Sequence, residues 1–202
     1  HPDAVSQFPE NVRDRIARTG HPIRKEIETP TNEGGHEFLK LESSVPTIFI
    51  MGGSQGSVAI NNVVLSALSE LVKKYNVVHQ VGAANLDETA KVSILILRDS
   101  FFDRYRAFGL LNTLALRMTA GISSLVVSRA GSGSIFEIAS WGKPSILIPI
   151  PEDISHDQKE NAYSYARSGA AVVLEQHNVT PHLLIAEIDR IASNPELEKK
   201  MS

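Results

Sequence analysis

Residues 129–161 read RAGSGSIFEIASWGKPSILIPIPEDISHDQKEN. A glycine-rich turn, Gly131-Ser132-Gly133-Ser134, leads into an apolar-periodic run at 132–141 that contains Glu137. A short continuous apolar run follows at 145–149 (SILIP), and HDQKEN at 156–161 opens a second helical pattern. A continuous apolar run bounded by turns is what a strand buried on both faces looks like. Successive strands of a parallel sheet deliver their loops to one edge, and at that edge open α/β sheets bind nucleotides.

The same alternation extends in both directions. Upstream, 47–51 (TIFIM) reads as a buried strand ending in Gly52-Gly53, and 57–74 has helical periodicity. Further strands are expected at 76–81 (NVVHQV), 92–97 (VSILIL), 125–128 (LVVS), 145–149 and 171–174 (AVVL). Helices are expected over 100–120 with a break near Gly109, and over 132–141, 156–168 and 181–192. Strands alternating with helices, with continuous apolar strands, predict an α/β fold: a doubly wound, mostly parallel six-stranded sheet, Rossmann-like. Residues 1–45 read as a leader and interdomain linker, with a short helix at 13–18 and a flexible polar loop at 29–44 (TPTNEGGHEFLKLESS). The folded domain is placed at 46–202.

Composition narrows the function classes. The 202 residues are 42% hydrophobic and 21% charged, with a formal net charge of −3. No dense Lys/Arg block provides a nucleic-acid footprint. There is no cysteine, so thiolate catalysis and disulfides are excluded. The apolar runs are too short to span a bilayer as helices, and no signal peptide is visible. The chain opens on His1 in polar sequence, which reads as a piece of a longer protein.

Four segments carry candidate chemistry. MGGSQGS at 51–57 joins a strand to a helix; its glycines allow close backbone approach, and the helix N-terminus suits a diphosphate. Equally, it reads as a plain turn with Ser54 or Ser57 as the helix cap. The dinucleotide fingerprint is absent there, and at Gly131-Ser132-Gly133 it fails because Phe136 takes the third glycine position. No G-K-[ST] follows either turn. Glu137 could accept hydrogen bonds from both hydroxyls of a ribose. Taken alone, the spacing Ser134-Ile-Phe-Glu137 favours a capping box instead. Gln158 and Asn161, three apart, share one helical face and suit a hydroxyl-rich ligand, or form a solvated helix start with Asp157. Arg24, fixed by Pro22 in GHPIRKEI, suits a phosphate but stands in the leader. His79 and Gln80 end the second strand, where a buried, bonded histidine is the commoner arrangement. The histidines show no metal-ligand spacing, and no G-x-S-x-G elbow supports a serine triad.

GHPIR, GGSQGS, HQVG, VVSRAGSGSIFE, GKPSILIPIP, HDQKENA and GAAVVLEQ occur in that order. The series resembles the C-terminal, donor-binding domain of the MurG-type UDP-N-acetylglucosamine transferases of glycosyltransferase family 28, from about residue 19 onward. The resemblance implies half of a GT-B fold and an inverting transfer of N-acetylglucosamine from UDP-GlcNAc to a lipid-linked peptidoglycan precursor, without a cofactor or metal. It implies substrate-binding roles for Arg24 (diphosphate), Ser54 and Gln55 (phosphates and cleft), Gly131, Ser132, Gly133 and Ser134 (adjoining loop), Glu137 (ribose), Gln158 (sugar hydroxyls) and Asn161 (support). Uracil would be read by backbone groups around residues 110–112. The catalytic residues stay unknown, since the general base is expected in the N-terminal acceptor domain, which is not in this chain. A cytoplasmic location peripheral to the inner membrane face is implied for the full-length protein, with no nucleic-acid partner. The sequence departs from the pattern at Asp157, over 99–124, which carries extra residues, and after Ser202, where the family's last helix is cut short. Two alternatives stay open: another GT-B enzyme, such as a lipid-sugar transferase or UDP-sugar epimerase, and a non-catalytic nucleotide-sugar-binding subunit of a split transferase.

Overall fold

The structure, a computed structural model, describes residues 5–6, 8–17, 20–98 and 101–202. In chain order the elements are α1 (Glu10–Arg13), α2 (Lys25–Glu28), α3 (Gly35–Leu39), β1 (Thr47–Met51), α4 (Val58–Lys74), β2 (Asn76–Gln80), α5 (Leu86–Leu97), β3 (Tyr105–Phe108) and α6 (Thr113–Ile122). They continue with β4 (Ser123–Ser128), α7 (Ser132–Trp141), β5 (Ser145–Leu147), α8 (His156–Ala166), β6 (Ala171–Val173), α9 (Pro181–Ala192) and α10 (Pro195–Met201). All six strands are parallel, in the order β3-β2-β1-β4-β5-β6. The expected doubly wound sheet is therefore present and wholly parallel.

Period-two alternation divides the core. Ile48 and Ile50 of β1, Val77 of β2, and Leu125 and Val127 of β4 face α4 and α9. Phe49 and Met51, Val78 and Val126 face α6 and α7, where Ile135, Ile138 and Trp141 meet them. Ile27, Leu39 and Leu41 join this second layer. At about 1.5–3 kcal/mol per fully buried large apolar side chain, both faces are needed to offset the entropy of ordering the chain.

Helix ends follow local chemistry. Ser57 caps α4 by accepting from Ile60 N, and Thr180 caps α9 ahead of Pro181. Gly142, at φ 60°, ends α7 in the left-handed region.

Four sequence expectations fail. VSILIL is not a strand but the second half of α5, and the third strand is the edge strand YRAF at Tyr105–Phe108. A short β-branched apolar run fits either period. In α5 it buries Thr89, Ser93 and Leu97 while leaving Ile94 and Leu95 exposed, an inversion that composition does not announce. The edge strand is covered less and needs fewer apolar residues, so only Tyr105 of the four is buried. The expected helix over 100–120 is real only from Thr113, and residue 100 lies outside the described residues.

The 29–44 segment is likewise not a flexible loop. It contains α3, and Thr31 N bonds Arg117 O while Arg117 Nε bonds Thr29 O. Arg106 holds the carbonyls of Leu39 and Lys40. The short helix expected at 13–18 occurs earlier, as α1, and residue 18 lies outside the described residues.

His79 is fully buried in β2. Asn61 Nδ2 donates to Val81 O, so Asn61 Oδ1 is the acceptor for His79 Nε2 at 3.1 Å. Nδ1 therefore accepts from the Tyr105 hydroxyl at 3.0 Å, and the ring is a neutral strut between α4 and the edge strand. Burial pushes its pKa from 6.5 down to about 3. Between those values the unfolded chain binds a proton that the folded chain refuses, so stability is lost as pH falls below about 6.5. Thermal melts of the wild type should drop more steeply between pH 6.5 and 4.5 than those of His79→Gln, by up to about 1.4 kcal/mol per pH unit. Parallel pH profiles for the two proteins would contradict a histidine held neutral.

Candidate functional site

Strand order reverses between β1 and β4, so the loops leaving these strands diverge and leave a crevice at their carboxyl ends. Met51 and Ser128, the last residues of the two strands, are register partners. The turn 52–57 therefore stands beside the turn 129–131.

The first turn passes backbone to backbone against the loop after β2. Gly56, at φ 76°, lies so close to Val81 that a Cβ would overlap the Val81 carbonyl, and a Cβ on Gly82 would overlap the Gln55 carbonyl. Gln80 reinforces this side: Nε2 donates to Gly53 O and Oε1 accepts from Leu111 N. Ser54 and Gln55 are exposed at the tip, and neither side chain has a partner among the described residues. The first N–H groups of α4 behind them have no intrahelical acceptor.

At the second turn α7 begins at Ser132, with Gly131 as its cap residue and no side-chain cap bond. Ser134 and Glu137 are thus the third and sixth residues of the helix. The capping box that the spacing favoured does not form, because it needs Ser134 outside the helix. Gly131 and Gly133 face open space: a Cβ on either would meet no atom within 4 Å. Glu137 turns instead toward Arg24, with Oε1 3.3 Å from Nη2. The leader lies along this face of α7, with His21 stacked on Phe136 at 4.9 Å and Ile27 O accepting from Trp141 Nε1.

The third loop is tied to the second by α8. Gln158 Oε1 accepts from both Ala130 N and Ile150 N, at 3.2 Å each, and Asn161 Nδ2 donates to Ala130 O at 3.5 Å. Gln158 is thus a strut between the loops after β4 and β5, and no described residue accepts from its amide N–H groups. Of the backbone groups around 110–112, Leu111 N is taken by Gln80, and Asn112 caps α6.

Arg129 escaped the sequence reading as a site residue. It is 8% exposed, and Nη1 donates to Ile148 O and Pro149 O while Nη2 donates to Ser57 Oγ and Gln176 Oε1, both at 2.6 Å. Burial pushes its pKa down to about 10, so it stays charged at neutral pH. The available signal was a charged residue directly after the buried run LVVS, at the sheet edge where ligands bind. Among the described residues, no group of three or more His, Asp or Glu side chains is placed to hold a metal ion, and no helix is long and apolar enough to cross a membrane.

An open, wholly parallel sheet in Rossmann order, with two glycine-rich turns meeting at its switch point, is the class that the fold defines. A family model described as the glycosyltransferase family 28 C-terminal domain matches residues 47–202, and the chain belongs to that family. It is 33% identical over 186 residues to a UDP-N-acetylglucosamine–N-acetylmuramyl-(pentapeptide) pyrophosphoryl-undecaprenol N-acetylglucosamine transferase of Treponema denticola, covering 91% of this chain and 47% of the relative. It is 38% identical over 188 residues to the transferase 2 of that name from Bacillus cereus, covering 93% and 51%. The crystal structure of Acinetobacter baumannii MurG superposes with a TM-score of 0.66 at 21% identity, over 96% of this chain and 53% of that one, a likeness of fold. The chain spans about half the length of the relatives it matches.

Gln158→Ala would strand two backbone N–H groups, one of them on buried Ala130, and should cost about 2 kcal/mol in urea unfolding. Gln158→Glu keeps the acceptor and should retain most of that stability. An alanine variant as stable as wild type would remove the strut.

Proposed function

We propose that this chain is the donor-binding part of an inverting glycosyltransferase that moves N-acetylglucosamine from UDP-GlcNAc to a lipid-linked peptidoglycan precursor. The observation that carries the proposal is the meeting of the 52–57 and 129–134 turns at the switch point of a family 28 domain whose relatives bear the names of such transferases. Residues 46–202 form the donor domain in this reading, with 1–45 leading into it. The acceptor side is assigned to the half of the relatives' length that this chain does not span.

In the reaction an acceptor oxygen attacks the anomeric carbon and UDP departs. The donor domain must then hold a diphosphate whose charge grows as the glycosidic bond breaks. The N–H groups at the start of α4, Ser54, Gln55 and the guanidinium of Arg24 meet that charge. Glu137 accepts from the ribose hydroxyls, beside the open backbone of Gly131 and Gly133 and the hydroxyls of Ser132 and Ser134. The amide of Gln158 reaches the sugar hydroxyls, and Asn161 steadies the loop beneath it. The charge is met by protein groups alone, so the proposal calls for no metal. The full-length protein would work on the cytoplasmic face of the membrane, as a peripheral protein.

Calorimetric titration of the chain with UDP should give binding at millimolar concentration or better, with ATP and NAD giving none. Glu137→Ala should lower UDP affinity roughly ten- to hundredfold, the worth of hydrogen bonds to a charged group. Its melting temperature should barely move, because the exposed pair with Arg24 contributes little. Binding of ATP or NAD in preference to UDP would overturn the proposal.

A further inference from the structure

A guanidinium buried beside a carboxylate is neutralised locally. Arg129 is not: the four atoms that accept from it are two backbone carbonyls, one hydroxyl and one amide oxygen, all uncharged. No carboxylate of a described residue pairs with it. Neutral dipoles can solvate a buried cation, but they leave its net charge in place. Burying a charge in this way is costly unless something compensates it.

Its most specific partner is Ser57, itself 8% exposed and the cap of α4. Ser57 Oγ accepts from Ile60 N at 3.3 Å and from Arg129 Nη2 at 2.6 Å. A hydroxyl has two lone pairs, and both are used. The Ser57 O–H can then only donate, and no described residue accepts it. An unspent donor and an uncompensated positive charge thus sit together behind the 52–57 turn, and both ask for an anion.

We propose that Arg129 is a positioning residue for the donor's diphosphate, holding Ser57 as an obligate donor and supplying a fixed positive charge behind the turn. The inference rests on the donor-binding reading above and adds to it residues that act beneath the binding surface. A purely structural strut would use the same four hydrogen bonds to pin β5 and the 176–178 turn to α4. That role would affect every part of the nucleotide alike, whereas a diphosphate-directed role acts on the phosphates alone.

NMR titrations of the chain with UDP and with uridine separate the two roles through the ratio of the affinities. Arg129→Gln removes the fixed charge behind the turn and should weaken UDP roughly tenfold or more while leaving uridine within about twofold. Ser57→Ala leaves the guanidinium in place but removes the donor, and should lower the UDP-to-uridine ratio roughly threefold to tenfold. Arg129→Lys keeps the charge and should preserve most of the ratio even where its melting temperature falls. If Arg129→Gln does not fold, Ser57→Ala decides. Wild type that binds neither UDP nor uridine would defeat the donor-binding reading itself. Wild type that binds both, with a ratio unchanged in Arg129→Gln and Ser57→Ala, would overturn this inference alone.

Discussion

The pairing of β1 with β4, in register from Ile48–Leu125 to Met51–Ser128, is the interaction on which the site depends. The chain builds outward from β1 to β2 and β3, then returns to the other side of β1 to lay β4. At that return, loops from neighbouring strands turn toward opposite faces of the sheet and cannot fill the space between them. A one-residue slip would move Phe49 and Met51 into the layer that holds Ile48 and Ile50, so the core on both faces enforces the register. The position of the 52–57 turn against Arg129 is therefore a consequence of packing far from any ligand.

Sequence patterns revealed most where an element's end carries its own chemistry. The helices 132–141 and 181–192 were legible to the residue because Gly131, Gly142, Thr180 and Pro181 mark their limits by conformation and hydrogen bonding. VSILIL has no such mark, and YRAF lies at an edge where burial does not demand an apolar run. Glu137 shows the opposite danger. Ser-x-x-Glu carries a cap signal by spacing alone, but the helix is capped three residues earlier, at Gly131, a position that only the fold of the β4–α7 turn decides.

Candidate site residues divide in the same way. Glu137 and Gln158 could be picked out because a carboxylate and an amide suit hydroxyls and their segments follow strand ends, whereas Ser54 and Gln55 entered as ligand contacts only through the family resemblance. The second use of Gln158, as acceptor for two backbone N–H groups from different loops, depends on contacts across 28 and 8 residues of sequence. The role of Gln80 in holding Gly53 and Leu111 spans three loops. No periodicity encodes such contacts, because they arise only when the sheet has brought distant loops to one edge.

Arg24 and Arg129 show how burial sorts two identical side chains. Arg24 is largely solvated, and its 3.3 Å pair with Glu137 is of a kind worth about 0–1 kcal/mol in water. On the proposed reading, exchanging that pair for a diphosphate and a diol costs little, so Arg24 and Glu137 can neutralise each other until the donor arrives. Arg129 has no such freedom. Four hydrogen bonds fix its position and no counter-charge shields it, so its field is present before the ligand and needs no reorganisation when charge develops. A movable cation at the rim and a fixed one beneath the turn are different tools. The first can follow a leaving group, while the second can only favour the place where that group's charge must collect.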